Sequence, residues 1–313
     1  MSNSTLPRPL RGIIPPMITP LRDRDTLDGG GLEKVVEHVL AGGVTGLFIL
    51  GTTGEGPSLS YRLRRELVES TCRQVKGRVP VLVGISDTSF VESVNIARAA
   101  ADSGADAVVL APPYYMPEGQ PELREYLENL LPELPLPLFL YNMPSLTKVP
   151  YELDTVRWAM QQPRIAGMKD SSGNMVYFNR LLELHAQRPE WTLLVGPEEL
   201  LAESVLIGGH GGVNGGANLF PRLYVELHAA AGRADLKRVR ELHSCVMQVA
   251  EQLYTVGRHS SSVIKGIKCA AACLGLAGDF MAEPFHHFRD NERKIIEAAV
   301  RELRERLGPL AAK

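Results

Sequence analysis

Cysteine and aromatic residues are both scarce in this sequence. Its 313 residues include only four cysteines, and aromatic residues make up 6% of the chain. The cysteines (Cys72, Cys245, Cys269 and Cys273) form no CxxC pair, and no histidine or carboxylate joins them at metal-ligand spacing. We therefore interpret them as structural thiols and expect no metal.

Long apolar runs and a strong net charge are also missing. No apolar stretch approaches the roughly 18 residues that a transmembrane helix needs, and the N-terminus has no apolar run of signal-peptide length. We therefore expect a soluble, cytoplasmic protein without a membrane partner. The formal charge is -2, and no basic stripe is interleaved with aromatics, so nucleic acid is not an expected partner either.

The composition that remains is that of a globular protein with a sizeable core, 44% hydrophobic and 22% charged. Short runs rich in Val, Ile and Leu alternate with segments of helical spacing, such as Leu32–Leu40 and Leu63–Val75. The strand candidates are Gly12–Pro20, Gly46–Leu50, Val79–Ser86, Asp106–Ala111, Leu136–Tyr141, Ile165–Lys169, Trp191–Gly196 and Gly211–Gly215. Almost every one is followed by a predicted helix.

This alternation predicts an α/β fold. Continuous apolar strands indicate burial on both faces, as in parallel sheets. Eight such units close naturally into a (β/α)8 TIM barrel with the helices outside. The alternative is an open doubly wound sheet, which usually carries a glycine-rich phosphate loop after its first strand. Here the first strand ends in Thr19-Pro20-Leu21, so the sequence favours the barrel.

Helix-like sequence continues well beyond the eighth strand. It covers Leu223–Ala231, Leu236–Leu253, Ser262–Leu274 and Arg289–Arg306. This is more than one final barrel helix requires, and no Pro/Gly/Ser-rich linker separates it from the barrel. We predict a barrel over residues 1–232 and a C-terminal helical extension over residues 233–313, packed on the barrel.

Barrel enzymes place their active sites at the carboxyl ends of the strands. Lys169 lies at such an end, directly after the apolar segment 165–168. Partial desolvation there favours the neutral amine, which is the nucleophile that imine chemistry needs. The alternative interpretation is an ion pair with the neighbouring Asp170 or with a carboxylate opposite.

Four motifs follow one another at the predicted strand ends. They are Gly51-Thr52-Thr53-Gly54-Glu55, Tyr114-Tyr115, Tyr141-Asn142-Met143-Pro144-Ser145 and Gly167-Met168-Lys169-Asp170. Each is weak alone, and Gly-Thr-Thr-Gly by itself is usually a tight turn. Together, from about Gly12 to the C-terminal helices, the chain resembles the dihydrodipicolinate synthase and N-acetylneuraminate lyase superfamily of class I, pyruvate-dependent aldolases.

The resemblance implies roles for individual residues. Lys169 matches the lysine that forms an imine with a 2-oxo acid such as pyruvate, and no separate cofactor is implied. Tyr141 matches the tyrosine that shuttles protons. Thr52 and Thr53 match the loop that holds the pyruvate carboxylate, where glycines let the backbone approach the anion. Val213 matches a position whose backbone carbonyl faces the site.

The resemblance also implies an oligomer. In the synthase branch the first threonine of the loop, here Thr52, links two tyrosines into a proton relay. Tyr115 matches the second tyrosine, which a neighbouring subunit contributes. We therefore expect a homodimer or homotetramer whose other partners are small molecules, a 2-oxo acid and an aldehyde.

Two features of the sequence affect the expected second substrate: one departs from the synthase pattern, and the other resembles the neuraminate lyases. The synthases carry an arginine that binds the carboxylate of their aldehyde, and here Leu146 occupies that position, with Lys148 as a candidate substitute. After the seventh strand, Gly196 is followed by Glu198 and Glu199, a spacing with which neuraminate lyases contact sugar hydroxyls. The alternative for this acidic pair is an ordinary helix N-terminus.

Leucine in place of arginine, together with the acidic pair, favours the branch that acts on 2-keto-3-deoxy sugar acids. Its members cleave the substrate to pyruvate and an aldehyde, or dehydrate it. The alternative is 4-hydroxy-tetrahydrodipicolinate synthase, which condenses pyruvate with aspartate semialdehyde. A third hypothesis is a non-catalytic homologue that binds 2-oxo acids.

Other polar residues receive no chemical role from the sequence. Glu55 is expected to support its loop and His210 to be structural within a glycine-rich turn. His286 and His287 fall in the C-terminal helical region, away from every strand end, and are expected at the surface.

Overall fold

The computed structural model describes residues 6–311. Its strands are β1 (Gly12–Ile13), β2 (Leu21–Asp23), β3 (Thr26–Leu27), β4 (Leu47–Ile49), β5 (Val81–Gly84), β6 (Ala107–Leu110), β7 (Leu138–Asn142), β8 (Ile165–Asp170), β9 (Thr192–Val195) and β10 (Gly211–Gly212). Its α-helices are α1 (Gly29–Ala41), α2 (Tyr61–Val75), α3 (Phe90–Asp102), α4 (Gln120–Leu130), α5 (Pro144–Thr147), α6 (Leu153–Met160), α7 (Met175–His185), α8 (Leu201–Leu206), α9 (Pro221–Gly232), α10 (Leu236–Tyr254), α11 (Ser262–Cys273) and α12 (Asp290–Leu307). Short 3-10 helices occupy Gly56–Ser58, Leu131–Glu133, Glu198–Leu200, Gly215–Asn218 and Gly308–Ala311.

Eight of these strands form one parallel sheet, in the order β1-β10-β9-β8-β7-β6-β5-β4. The sheet closes where the chain after β1 meets β4. Pro16 forms a parallel bridge with Phe48, and the backbone N–H of Met17 donates to the Phe48 carbonyl at 2.8 Å. The predicted (β/α)8 TIM barrel with C-terminal helices is thereby confirmed.

The first and last barrel strands are shorter than predicted. The run Gly12–Pro20 contributes only a two-residue strand, because the prolines at 15, 16 and 20 have no N–H to donate to a strand ladder. The chain then forms the unpredicted β2–β3 hairpin. The eighth strand ends at Gly212 rather than Gly215, since the residues that follow turn into a 3-10 helix.

Serine side chains begin two of the outer helices. Ser60 precedes α2, and its hydroxyl accepts the N–H of Leu63. Ser89 precedes α3 and accepts the N–H of Glu92 in the same way. Such N-caps satisfy backbone donors that have no partner within the helix, and each typically stabilises a helix by about 1 kcal/mol.

The buried apolar residues form two clusters. One lies inside the barrel and contains Leu6, Leu10, Ile14, Phe48, Leu82, Ala107, Val109, Ala111, Phe139, Tyr141, Ala166, Leu194 and Val213. The other lies between strands and helices, and it continues into the extension, since Leu242, Ile267 and Ile296 belong to it along with Leu47. Whether residues 1–232 and 233–313 are separate domains stays a prediction. Within residues 6–311, no helix has the length and apolar character needed to cross a bilayer.

An irregularity in β8 decides which way its lysine points. Leu138 pairs with Ile165, but the next residue of β7 pairs with Gly167, so Ala166 is an extra residue. Lys169 consequently pairs with Tyr141 on one side and Leu194 on the other, both members of the interior cluster. Because strand side chains alternate between faces, a regular strand would turn Lys169 toward the helices.

Gly167 makes this irregularity sterically feasible. A Cβ atom at this position would lie 2.5 Å from the Thr192 carbonyl oxygen and 2.8 Å from Cε1 of the Phe139 ring. Both distances are below normal contact, and one of the two atoms belongs to the backbone. A side chain at position 167 would therefore displace a neighbouring strand or an interior ring.

We expect Gly167→Ala to destabilise the protein by about 1–3 kcal/mol, because the added methyl group over-packs the interior. Gly29→Ala is the matched control, since nothing lies within 4 Å of a Cβ there. Urea unfolding of both variants measures the effect. Equal stability of Gly167→Ala and wild type would contradict the steric argument.

Candidate active site

Lys169 is buried inside the mouth of the barrel, with 6% of its surface exposed. Its Nζ lies 4.1 Å from the centroid of the Tyr141 ring and 5.2 Å from that of Phe48. Gly196 leaves room for it, since a Cβ there would lie 3.3 Å from the lysine Cε. Lys169 is thus a buried lysine packed against aromatic faces.

The alternative of an ion pair with Asp170 is not what the structure contains. Asp170 accepts hydrogen bonds from Asn142 Nδ2 at 2.8 Å and from Ser172 Oγ at 2.9 Å. Burial raises the pKa of its carboxyl group. Among the described residues, no carboxylate forms an ion pair with Lys169. Its amine is therefore free of a carboxylate partner.

Tyr141 and Thr52 meet beside this lysine. The Tyr141 hydroxyl lies 3.2 Å from Thr52 Oγ1, although the two residues come from β7 and from the loop after β4. Thr53 follows in the same loop and is half-buried, like Thr52. The structure thus brings together Lys169, Tyr141 and Thr52, three residues that the sequence places at different strand ends.

A cavity of about 150 Å³ opens next to these residues. It is lined by Phe48, Leu50, Gly51, Thr52, Pro57, Gly84, Ser86, Ala111, Tyr114, Tyr141, Met143, Leu146 and Thr147. The lining contains no arginine, lysine or histidine. Leu146, on α5, is 49% exposed. Lys148, the candidate substitute for the arginine, is exposed, and its Nζ donates to the Ser145 carbonyl at 2.7 Å.

The two adjacent tyrosines have different environments. Tyr114 lines the cavity, and burial raises the pKa of its hydroxyl. Tyr115 is 82% exposed and is not part of the cavity lining. The structure therefore leaves Tyr115 outside the site of its own chain.

Val213 is buried in the interior cluster, and its N–H donates to the Val195 carbonyl at 2.8 Å. The orientation of its own carbonyl toward a substrate stays a prediction. Next to it, Asn214 Nδ2 donates to the Gly196 carbonyl at 3.0 Å. This contact ties the end of β10 to the glycine that borders Lys169.

Glu198 is buried, and its carboxylate has partners within the protein, so its contact with a sugar stays a prediction. One carboxylate oxygen accepts hydrogen bonds from the hydroxyls of Tyr224 and Tyr254, and the other accepts the N–H of Gly216 at 2.8 Å. Both oxygens are therefore already bound inside the protein. Burial raises the pKa of Glu198 to about 7. Glu199 is half-buried, and its contact with a sugar stays a prediction.

Glu55 has partners that the sequence did not indicate. Its Oε1 lies 2.5 Å from Lys268 Nζ, and both side chains are fully buried. Its Oε2 accepts the N–H of Ala282 at 2.7 Å. The only hint of this pair was a lysine in the otherwise apolar stretch 266–272 of a predicted helix.

Three histidines and the four cysteines lie outside the group of residues around Lys169. His210 Nδ1 accepts the N–H of Leu193 at 2.8 Å, and burial lowers the pKa of this histidine to about 4. His286 and His287 are exposed. The four cysteines are free thiols. In the part of the chain that the structure describes, no three His, Cys, Asp or Glu side chains are grouped as metal ligands would be.

Comparison with known proteins identifies the family. The model of the dihydrodipicolinate synthetase family matches residues 9–303. The chain belongs to this family. It is accordingly a class I lyase of the type that acts through a lysine imine, as the sequence predicts.

The names of individual relatives bear on which reaction the chain catalyses. Proteins named 4-hydroxy-tetrahydrodipicolinate synthase from Kosmotoga olearia and Methanopyrus kandleri are 30% and 31% identical to this chain, over 93% and 94% of it and 98% and 96% of their own lengths. A structure described as dihydrodipicolinate synthase from Bacteroides thetaiotaomicron is 57% identical, with a TM-score of 0.92 over 94% of this chain and 99% of that one. A prophage protein of the same family from E. coli K12, in complex with pyruvate, is 26% identical, with a TM-score of 0.88 over 94% and 98% of the chains. These names favour the synthase alternative over the sugar-acid reaction.

The pKa of Glu198 generates a prediction about pH. Its ordinary value of 4.5 is raised to about 7 in the folded protein, so the folded state holds this proton more tightly than the unfolded chain. The contribution of Glu198 to the unfolding free energy therefore falls as pH rises through this window. Glu198→Gln lacks this titration, so its stability relative to wild type should increase from about pH 5 to about pH 8, as measured by urea unfolding. A difference that stays constant with pH would contradict the assignment.

Proposed function

We propose that Lys169 forms an imine with a 2-keto-3-deoxy acid, and that cleavage of this imine gives an uncharged aldehyde and, after hydrolysis, pyruvate. The imine step is supported by one arrangement above all. The buried Lys169 amine lies 4.1 Å from the ring of Tyr141, whose hydroxyl lies 3.2 Å from that of Thr52. A nucleophile and a proton carrier are thus held side by side.

The chemistry follows from these groups. The amine of Lys169 attacks the C2 carbonyl of the 2-oxo acid, and water leaves as the imine forms. Tyr141 takes the proton of the C4 hydroxyl while the C3–C4 bond breaks, and the bonding electrons move into the imine to give an enamine. The aldehyde departs, C3 is reprotonated, and hydrolysis of the imine releases pyruvate and the free lysine.

The uncharged aldehyde is proposed because of Leu146. This side chain borders the cavity, whose lining has no cationic side chain. A carboxylate placed there loses hydration without gaining an ionic partner, which costs several kcal/mol. A polyhydroxy aldehyde meets hydroxyl groups instead, those of Thr52, Ser86 and Tyr114.

A second candidate is the condensation of pyruvate with aspartate semialdehyde. The names of the relatives favour it, more than they favour the sugar-acid reaction. It requires a cation for the carboxylate of the aldehyde. Lys148 would supply one by giving up its bond to the Ser145 carbonyl.

The hypothesis of a non-catalytic binding protein has less support. A protein that only binds a 2-oxo acid has no need of a lysine nucleophile and a neighbouring proton carrier. Lys169, Tyr141 and Thr52 are all present, and Tyr141 contacts each of the other two.

Tyr115 belongs to the proposal through a second subunit. Its ring is 82% exposed, so it is available to a neighbouring copy of the chain. We propose that it enters the partner's site and extends the contact between Tyr141 and Thr52 into a proton relay. A homodimer, or a homotetramer built from such dimers, follows from this role.

Reduction with borohydride in the presence of pyruvate should attach one reduced pyruvate irreversibly to Lys169. The borohydride traps the imine as a stable secondary amine. Intact-mass measurement and peptide mapping locate the adduct, and Lys169→Met serves as the unlabelled control. An adduct on another lysine, or none at all, would falsify the imine assignment.

The choice of aldehyde should depend on position 146. We expect kcat/KM of the wild type to favour a neutral polyhydroxy aldehyde over aspartate semialdehyde by about a hundredfold or more, because each ~1.4 kcal/mol of unfavourable desolvation is a factor of ten in rate. Leu146→Arg should shift this ratio toward the charged aldehyde, and Leu146→Met should leave it unchanged. Assays of both aldehydes with all three proteins provide the measurement. A wild type that prefers aspartate semialdehyde would establish the synthase instead.

A further inference from the structure

A fully buried ion pair joins the catalytic end of the barrel to the C-terminal helices. Lys268, on α11, approaches Glu55 at 2.5 Å, and neither side chain has any exposed surface. The lysine also donates to the Phe280 carbonyl at 2.6 Å, and Glu55 accepts the N–H of Ala282. The mechanism derived above uses neither charged group.

Glu55 ends a short loop of unusual backbone geometry. Leu50 and Glu55, on either side of Gly51–Gly54, adopt left-handed conformations with φ of +59° and +56°. Side-chain-bearing residues rarely hold such conformations unless their surroundings impose them. The loop also folds back on itself, since the N–H of Glu55 donates to the Thr52 carbonyl at 3.0 Å.

Other contacts fix only parts of this loop. The hydroxyl of Thr19 donates to the Gly54 carbonyl at 2.7 Å, and the N–H of Gly56 donates to the Gly51 carbonyl at 3.2 Å. The side chain of Glu55 is the one anchor in the described structure that connects the loop by charge to the extension. It therefore holds the end of the loop against α11.

We propose that Lys268 is a positioning residue for 2-oxo acid binding: through Glu55 it fixes the loop whose Thr52 and Thr53 hold the substrate carboxylate. The inference rests on the proposed function of that loop. Lys268 itself touches no substrate, and its effect passes through the backbone of residues 51–55.

The energetics agree with positioning rather than simple stabilisation. Burial raises the pKa of Glu55 and lowers that of Lys268, and the contact between the two groups opposes both shifts. A buried ion pair contributes little net stability compared with apolar residues of similar volume. What the pair supplies is a fixed geometry, because a short charge contact flanked by hydrogen bonds to the Phe280 carbonyl and the Ala282 N–H tolerates little displacement.

The test compares three variants with the wild type. Lys268→Met removes the cation, and the double variant Glu55→Gln, Lys268→Met removes both charges and so leaves no unpaired buried charge. Lys265→Met is the matched control, since Lys265 lies on the same helix, is also buried and contacts the Phe288 ring. Two quantities are measured: the pyruvate concentration for half-maximal borohydride trapping, and hydrogen exchange of the amides of residues 51–56 without pyruvate.

We expect the pyruvate concentration for half-maximal trapping to rise at least about tenfold in Lys268→Met and in the double variant. Small displacements of binding groups weaken binding strongly. Both should also exchange faster at residues 51–56, and Lys265→Met should change neither quantity. If Lys268→Met does not fold, the double variant decides. If a folded double variant has wild-type values for both quantities, the inference about Lys268 is wrong, but the proposed function is unaffected. A wild type that is not trapped by borohydride at all would instead overturn the proposed function, while the exchange data would still report on the loop.

Discussion

The alternation of side chains along a strand is the constraint on which this site depends. A barrel interior accepts every second residue of each strand, and the remaining residues face the helices. Lys169 reaches the interior because Ala166 is inserted into β8 and shifts the alternation by one. Its neighbours Tyr141 and Leu194 already face inward on regular strands. One extra residue therefore decides whether Lys169 faces the barrel interior or packs among the helices.

The architecture was predictable from the sequence because its signal is repeated. Eight apolar runs with intervening helices leave few arrangements, and the carboxyl ends of parallel strands must converge. The proximity of Lys169, Tyr141 and Thr52 follows from that convergence. Strand lengths were less predictable, since the prolines that shorten the first strand lie inside an apolar run that otherwise extends to residue 20.

Contacts between the barrel and the outer helices could not be predicted in the same way. The sequence did not indicate that Tyr224 and Tyr254 donate hydrogen bonds to the Glu198 carboxylate. These tyrosines come from α9 and α10, and helical periodicity does not fix how a helix rotates against a strand end. The pairing of Glu55 with Lys268 escaped prediction for the same reason. Local patterns thus identified the residues at the strand ends, whereas the residues that surround them are determined by tertiary packing.

The pairing of β1 with β10 has a consequence for folding during synthesis of the chain. These strands pair Gly12 with Gly211, so the first barrel strand acquires this neighbour only after about two thirds of the chain has left the ribosome. Until then both edges of the growing sheet are open, a state that slows folding and invites association between chains. Lys268 emerges later still. The loop of residues 51–55, although encoded near the N-terminus, is thus among the last parts of the molecule to acquire all its contacts, and incomplete chains contain Lys169 before these contacts exist.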